Sequence, residues 1–505
     1  MASGHHHPAE GALAHMAILL LNVGSQDLLG PDRDANGKRV SSSGRIHAQT
    51  HLDRLDRGDH LDDVEWPLVS KYLAFLRSGG LHLDRLILFG TNQPETVPEQ
   101  FRKGDTIVAA EVLRRLILNH GRDVVGDAAV GAVTVDGANR HDVCLDFFRR
   151  ELPKWRGNDD RVFVAVTGGT PASNLGLLMA AQAIWGDRVE AIGASATDPA
   201  FALDIARQLR VAFQRQPVAD LLSRGQFATA AEIVRSWDDD RFAPLALAAE
   251  AIRLWLDQAH DDAHTQITGA QAHKPPGAVP DITSLLNDLD GALQARQGIA
   301  PIARETEMRR LEDVFWNADL CYRQERHVDF VARMALILER AIRCFIEGVI
   351  DHNVPESRNE TKREEFETAL EARGLSRTEG RGLDVVAFAM IAKDIAAHTD
   401  TFGTSIADRA GRIAEHTEAL YRLRELRNES VVGHRLEAVT PKRVADYIDD
   451  GLRKVFLNDG DPKGVAGVQA AIGVILGQLG REPTGPNPFL TYGERLARAL
   501  LDVPL

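Results

Sequence analysis

The spacing of apolar residues changes once along this chain, close to residue 200, and that change restricts the folds open to it. Before residue 200, short apolar runs alternate with stretches of helical periodicity. After it, helical periodicity continues with almost no strand signal. Apolar strands separated by helices are typical of a parallel sheet covered on both faces. We therefore expect an α/β domain followed by an all-α domain.

The apolar pattern also predicts the elements of both domains. Strands are expected at 17–23, 84–89, 129–135, 161–167 and 188–194, with helices at 66–77, 105–119, 140–155 and 171–185. Further helices are expected at 216–259, 305–350, 360–400, 404–435 and 440–457, with Pro/Gly loops at 270–283 and 480–488. A single tetratricopeptide-like turn is visible at 222–231, and one copy does not predict a solenoid.

Length and composition indicate an ordinary globular protein. The 505 residues suggest two or three domains, and no run approaches the ~20 apolar residues of a membrane span. The formal net charge of −14 disfavours long-range attraction to DNA or anionic membrane. Three scattered cysteines argue against a disulfide framework and fit a reducing cytoplasm. The domains are expected at 16–200, 201–300 (a helical linker region) and 301–505, after a tag remnant at 1–15.

Polar and glycine residues follow three of the predicted strands, at the edge where a parallel sheet binds ligands. The Gly168-Gly169 turn enters a helix with Thr170 as a candidate N-cap and Pro171 at its first position. Such a turn suits a phosphate or nucleotide. The alternative is a tight turn that binds nothing. The candidate ligand residues are Ser25, Gln26, Asp27, Thr91, Asn92, Gln93, Thr167, Gly168, Gly169, Thr170, Pro171 and Asn174.

A second candidate site lies in the window 421–435, which holds four arginines and two glutamates. Arg427 and His434 are about two helical turns apart, which would place them on one helix face at ~10 Å. Two such sets, from a symmetric helix pair, could surround one phosphodiester. An Arg binds a phosphate and a His titrates near neutrality, so the pair could cleave RNA through its 2′-OH. The alternative is an exposed charged helix that ends in a surface His.

A third feature is the His- and Asp-rich run 51–63, which we interpret as a solvated loop with internal ion pairs. Divalent metal binding is the alternative for this run. No zinc-binding spacing occurs, and neither a metal nor a cofactor is expected. Cys321 and Cys344 lie in apolar helical stretches and are expected in the core.

Taken together, these motifs resemble the CARF–HEPN effector ribonucleases of type III CRISPR systems. The strand ends at 22–27 and 166–172 look like those of a CARF domain. Arg427-Asn428 followed by His434 resembles the HEPN signature, and 317–339 is similar to the helical pair that precedes it. The resemblance implies a Rossmann-like parallel-sheet CARF domain followed by a helical HEPN domain.

The resemblance also implies a mechanism. Cyclic oligoadenylate, made by the type III CRISPR complex, would bind a homodimer and activate a composite site that cleaves single-stranded RNA without metal. Arg427 would hold the scissile phosphate, His434 would transfer protons and Asn428 would orient the pair, leaving 2′,3′-cyclic phosphate ends. Two alternatives stay open. One is a nucleotide-sensing regulator whose helical domain binds a partner. The other is a nucleotide-metabolising enzyme with a helical cap.

Overall fold

A computed structural model describes residues 17–157, 161–195, 197–273, 280–297, 303–355, 360–378, 383–430, 438–455 and 462–504. The chain forms two compact units, of which the first ends at Gln214 and the second runs from Arg215 to Pro504. The first unit contains a parallel sheet with helices, and the second is helical. The predicted α/β plus all-α architecture is therefore confirmed. No helix within the described ranges is both long and apolar enough to cross a membrane.

Strands occur only in the first unit among the described residues. They are β1 (Ala17–Asn22), β2 (Leu29–Arg33), β3 (Arg39–Ser41), β4 (Leu83–Thr91), β5 (Val125–Val133), β6 (Arg161–Ala165), β7 (Val189–Gly193) and β8 (Phe201–Leu203). The helices are α1 (Arg45–Asp56), α2 (Pro67–Ser78), α3 (Glu99–Arg102), α4 (Ile107–His120), α5 (His141–Glu151), α6 (Pro171–Trp185) and α7 (Ile205–Ser223). The division between the units falls within α7.

The main sheet has six strands in the order β5-β4-β1-β6-β7-β8, and only β8 is antiparallel to its neighbour. Both faces of the central strand β1 are buried. Leu19 and Leu21 join a core with α1, α2 and α4, whereas Ile18 and Leu20 join a second core with α5 and α6. Burying each such side chain contributes roughly 1.5–3 kcal/mol. The near-continuous apolar sequence of β1 follows from this two-sided burial.

The chain order in the sheet reverses at β1. From β1 the chain runs outward to β4 and β5, then returns to place β6 on the other side of β1. The carboxyl ends of β1 and β6 are therefore neighbours whose following loops lead to opposite sides. In open α/β sheets this switch point is where ligands bind.

All five predicted strands and four predicted helices of the first unit are present. The elements that were not predicted are the β2–β3 hairpin, α1, α3 and β8, and α7 begins at Ile205, before the predicted helical stretch at 216. In addition, β5 begins at Val125, four residues before the predicted run, because Gly126 and Asp127 interrupt its apolar pattern.

The second unit contains fourteen helices within the described residues. They are α8 (Phe227–Ser236), α9 (Ala243–Leu256), α10 (His260–Ala272), α11 (Pro280–Gln297), α12 (Ala303–Arg323), α13 (His327–Ile350), α14 (Glu360–Glu371), α15 (Val385–Ala397), α16 (Thr399–Phe402), α17 (Thr404–Leu420), α18 (Arg422–Glu429), α19 (Pro441–Val455), α20 (Gly464–Gln478) and α21 (Pro488–Asp502).

One helix–turn–helix geometry recurs three times, at α7/α8, α9/α10 and α12/α13. Each turn has one residue with φ between 60° and 73°, at Gly225, Gln258 and Glu325. The next backbone N–H bonds a carbonyl five residues back, in the pairs Gln226–Leu221, Ala259–Leu254 and Arg326–Cys321, at 2.8–2.9 Å. The tetratricopeptide-like turn predicted as a single copy thus has two companions. Only the α7/α8 turn has a glycine at its positive-φ position, so only that turn could be recognised from the sequence.

Candidate functional site

The turns that follow β1 and β6 meet backbone to backbone at the switch point. A Cβ atom on Gly24 would lie 2.8 Å from the carbonyl carbon of Gly168, which is closer than real Cβ contacts. Gly168 has φ +132°, a conformation that residues with side chains rarely adopt. The Gly169 N–H donates to the Asn22 carbonyl oxygen at 3.1 Å. Glycines are therefore required on both turns for this contact to form.

The N-terminus of α6 lies at the same edge. Thr170 is its N-cap, accepting the Ser173 N–H at 3.1 Å, and Pro171 occupies the first helical position, as predicted. Asn174 is buried, and its side chain accepts from the Asn22 amide at 3.0 Å and donates to the Val166 carbonyl at 3.0 Å. Asn174 thus ties the two turns together, and the positive end of α6 is fixed beside them.

The end of β4 is joined to the β1 turn by Thr106. Its hydroxyl donates to the Val23 carbonyl oxygen at 2.9 Å, and it accepts the Thr91 N–H at 3.1 Å. All three predicted polar strand ends therefore share one edge of the sheet, linked by hydrogen bonds.

Asn92 and Gln93 are held by two residues that the sequence did not indicate. The Arg45 guanidinium donates to Asn92 Oδ1 at 2.6 Å and to Asp105 Oδ2 at 3.1 Å. Asp105 is fully buried, and it also accepts the Gln93 N–H at 3.0 Å. Arg45 comes from the unpredicted helix α1, so sequence spacing could not connect it with the strand end.

Two buried ionisable groups lie within these turns. Asp27 is fully buried and accepts the Gly24 N–H at 2.6 Å, while its Oδ1 has no partner in the described part of the chain. Burial raises the pKa of Asp27 to about 7, against the opposing effect of that hydrogen bond. The Tyr72 hydroxyl donates to the Thr167 carbonyl oxygen at 3.1 Å, and burial raises the pKa of Tyr72 to about 12.

The predicted ligand residues differ in how they face solvent. Asp27 and Asn174 are buried and bond the turns themselves. Residues 91–93 and 167–170 are half-buried. The exposed side chains are Ser25, Gln26 and Pro171.

The second candidate site departs from its predicted geometry. The helix with Arg427, α18, ends at Glu429, and Ser430 is extended at ψ 172°. The Ser430 hydroxyl donates to the Arg427 carbonyl oxygen at 2.6 Å, which closes the last turn. The predicted single helix running from Arg427 to His434 is therefore wrong, because α18 ends at Glu429. His434 itself lies outside the described residues.

Arg427 differs from the other described arginines in its window. Arg422 pairs with Glu425 at 3.5 Å and Arg424 pairs with Asp384 at 2.6 Å. Arg427 is half-buried, and its Nε and Nη2 donate to Asn428 Oδ1 at 3.3 and 3.2 Å. Within the described ranges no carboxylate pairs with it. Asn428 is thus the residue that holds the Arg427 guanidinium within the described chain.

The His- and Asp-rich run is only partly the predicted loop. Residues 51–56 end α1, and His51 is buried there, with its pKa lowered mainly by burial and then by Arg54. The predicted internal ion pairs include Arg54–Asp63 at 2.9 Å. Among described residues, no three His, Cys, Asp or Glu side chains are grouped as a metal ion would require.

Cys321 and Cys344 lie in the core of the second unit. Both are almost fully buried, as predicted from their apolar helical surroundings. Burial raises the pKa of the Cys321 thiol.

No protein-family model matches the sequence, and no curated protein matches it. Among solved structures, the chain is similar to Enterococcus italicus Csm6 bound to cyclic hexa-2′-fluoro-hexa-dAMP, with 16% sequence identity and a TM-score of 0.48. That similarity covers 97% of this chain and 100% of the Csm6 chain.

Proposed function

We propose that this chain is a CARF–HEPN-type endoribonuclease that cleaves single-stranded RNA when cyclic oligoadenylate binds its α/β unit. The observation that carries the proposal is the half-buried Arg427 guanidinium, held by Asn428 without a carboxylate partner in the described chain. An arginine stays charged at all ordinary pH values, so a guanidinium without a carboxylate partner is suited to bind a phosphate of the substrate.

The activator is assigned to the edge where the two glycine turns meet. A ligand can approach the backbone closely here, because no side chains project from Gly24, Gly168 and Gly169. The N-terminus of α6 favours a phosphate at that point. A cyclic oligonucleotide repeats one nucleotide unit around its ring, which matches two copies of the site in a homodimer.

The RNA would be cleaved by the chain's own side chains. Arg427 binds the scissile phosphate and stabilises the charge that develops on it. His434 transfers protons as general acid or base. The 2′-oxygen bonds to phosphorus as its proton leaves, and the bond to the 5′-oxygen breaks as that oxygen gains a proton. The products are a 2′,3′-cyclic phosphate and a 5′-hydroxyl, and no metal takes part.

Activation is proposed as a population shift. A ligand activates only if it binds the active conformation more tightly than the inactive one. The activator must therefore stabilise a homodimer in which Arg427 and His434 of both protomers form one site.

A regulator without catalysis is the second candidate. The three similar helix–turn–helix turns at Gly225, Gln258 and Glu325 favour it, because stacked helical hairpins commonly bind protein partners. This candidate needs no cleavage by Arg427 and His434.

A fluorescent RNA reporter distinguishes the two. The protein is incubated with cyclic oligoadenylates of three to six units, with and without EDTA. We expect one ring size to trigger cleavage that EDTA does not prevent. Tight binding of a ring without any cleavage would favour the regulator, and cleavage that EDTA abolishes would contradict the metal-independent mechanism.

A further inference from the structure

An exposed aromatic ring lies at the start of α18, the helix that carries Arg427. Tyr421 precedes the first residue of α18 and has helical dihedral angles (φ −57°, ψ −28°), so its side chain continues the pattern of that helix. It is 45% exposed. Among the described residues of the second unit, every other Phe, Tyr and Trp side chain is less exposed. Tyr421 is thus the most accessible aromatic side chain in this part of the chain.

The helical repeat places Tyr421 on the side of α18 that carries Asn428. Seven residues make about two turns, so these two side chains share a face and lie about 10 Å apart along the axis. The opposite face is buried through Leu423 and Leu426. Asn428 in turn holds the Arg427 guanidinium, through distances of 3.3 and 3.2 Å to its Oδ1. The ring and the guanidinium are therefore close enough for one strand of nucleic acid to contact both.

The charge along this helix favours an anionic ligand. Positions 421–428 hold three arginines and one glutamate, in a chain whose formal net charge is −14. Arg422 pairs with Glu425 at 3.5 Å, and the two side chains are 40% and 52% exposed. Such exposed pairs contribute little free energy, so a phosphate can compete for the arginine. A strand of nucleic acid supplies both parts of a matching ligand, phosphates for the arginines and a base for the ring.

We propose that Tyr421 binds the RNA substrate by stacking against one of its bases. This inference rests on the proposed function and deepens it. Successive phosphates along a stacked strand are about 3.4 Å apart, so the base lies within about three nucleotides of the phosphate that Arg427 holds. In a duplex each base is stacked between its neighbours, and recognition by an aromatic ring requires an unpaired base. Because every base has a π-face, Tyr421 selects for single strands with little preference among bases.

Binding is measured with an RNA that cannot be cleaved, because 2′-fluoro groups replace its nucleophilic 2′-OH groups. Fluorescence anisotropy of this RNA is compared among wild type, Tyr421→Ala, Tyr421→Leu and Tyr421→Phe, with each cyclic oligoadenylate of three to six units. We expect Kd to rise about 5- to 150-fold in the Ala and Leu variants, since neither side chain stacks. Tyr421→Phe keeps the ring and should bind within about twofold of wild type.

Two control variants should also bind RNA as wild type does. Phe213→Ala removes an aromatic ring that is 54% exposed on α7, in the first unit. Arg453→Ala removes an arginine of α19 that contacts the exposed Asp450 at 3.5 Å. Weaker binding by these controls to the same degree as Tyr421→Ala would overturn the inference, because the effect would not depend on the ring at position 421.

A series of RNAs with one abasic nucleotide at successive positions locates the stacked base. In wild type, one abasic position should weaken binding by about the same factor as Tyr421→Ala. In Tyr421→Ala, that position should have no further effect, because the two changes remove the same contact. An abasic effect that persists unchanged in Tyr421→Ala would overturn the inference. Wild-type binding by Tyr421→Leu would also overturn it, since apolar contact without stacking would then suffice.

Other outcomes distinguish failure of the stacking role from failure of the proposed function. If Tyr421→Ala binds RNA normally but sediments as a monomer where wild type is a dimer, the ring belongs to a protein interface and the stacking role is wrong. If wild type cleaves RNA and all variants at position 421 bind it normally, only the stacking role fails. If wild type binds RNA through Tyr421 but cleaves none with any activator, the proposed cleavage fails and the stacking role is supported.

Discussion

A Cβ atom on Gly24 would lie 2.8 Å from the carbonyl carbon of Gly168, so the turns after β1 and β6 touch through their backbones. These two glycines are 144 positions apart in the sequence and are brought together because β1 and β6 are hydrogen-bonded neighbours. The contact joins the two polar strand ends into one surface. Any side chain at position 24 must separate them.

Gly24→Ala is therefore expected to damage the proposed activator site. The added methyl group meets backbone atoms, which cannot rotate away, so we expect a stability loss of about 1–3 kcal/mol and lost activator binding. The control is Gly79→Ala, where the nearest atom to a Cβ is at an ordinary 3.5 Å. Thermal unfolding and calorimetric titration with the activating ring measure both effects. Wild-type affinity in a folded Gly24→Ala protein would contradict the close approach that the site requires.

Gln26→Glu tests whether the ligand at this edge is an anion. Gln26 is exposed, so the charge changes without repacking. A charged residue at Gly169 would change the packing as well as the charge, because its Cβ would lie 2.7 Å from Asn22 Cβ and Ser173 Oγ. Repulsion at about 4 Å in water is about 1 kcal/mol, so affinity should fall about fivefold. Gln26→Lys, the control, should not weaken binding. Equal affinities of both variants would argue against a phosphate near Gln26.

Asp27 is expected to make the stability of the chain depend on pH. Its pKa is raised to about 7 when folded, above its value in the unfolded chain. Between these two values the folded state binds more protons, so stability falls with a slope approaching about 1.4 kcal/mol per pH unit as pH rises towards 7. Above pH 7 the slope from this group disappears.

Asp27→Asn should remove that contribution. The melting temperature of the variant, relative to wild type, should therefore rise between pH 5 and pH 8. Thermal scans of both proteins at matched ionic strength measure the difference. A difference independent of pH would show that Asp27 is already ionised at pH 5 in the folded protein.

Of the two arguments for a homodimer, the one from helix geometry fails and the one from the resemblance remains. The argument from a ~10 Å separation along one helix does not hold, because α18 ends at Glu429. The homodimer stays a proposal that rests on the resemblance of the sequence motifs to the CARF–HEPN family. We expect specific activity to fall on dilution, in step with dimer dissociation seen by sedimentation. Constant specific activity at concentrations where only monomer sediments would refute it.

The elements predicted correctly from the sequence are those whose burial produces a clear apolar pattern. The strand β1 is buried on both faces, so its continuous apolar run was unambiguous. The helix α1 was missed because it is rich in His and Asp, with His51 occupying a buried position that an apolar residue would normally mark. The β2–β3 hairpin is short and mostly exposed, although Asn36-Gly37 is a turn signal that could have indicated it.

The candidate sites show the same limit. Residues that follow strands were predicted together because parallel strands end at one edge. Arg45 and Asp105 were missed because they are 60 positions apart and meet only in the folded chain. The sequence prediction placed the end of α18 too late. The Ser430 hydroxyl bonds the Arg427 carbonyl oxygen and ends the helix, but serine also makes such bonds inside helices, so the sequence does not mark this end.

The central claim is tested most directly by the single-turnover rate of RNA cleavage at saturating activator, compared among wild type, Arg427→Ala, His434→Ala and the control Arg453→Ala. Loss of charge stabilisation or proton transfer should lower the rate by about 100- to 10,000-fold in the first two variants. Their activator affinity should remain that of wild type, and Arg453→Ala should cleave normally. Cleavage at the wild-type rate by both Arg427→Ala and His434→Ala, in preparations free of contaminating ribonuclease, would contradict the account.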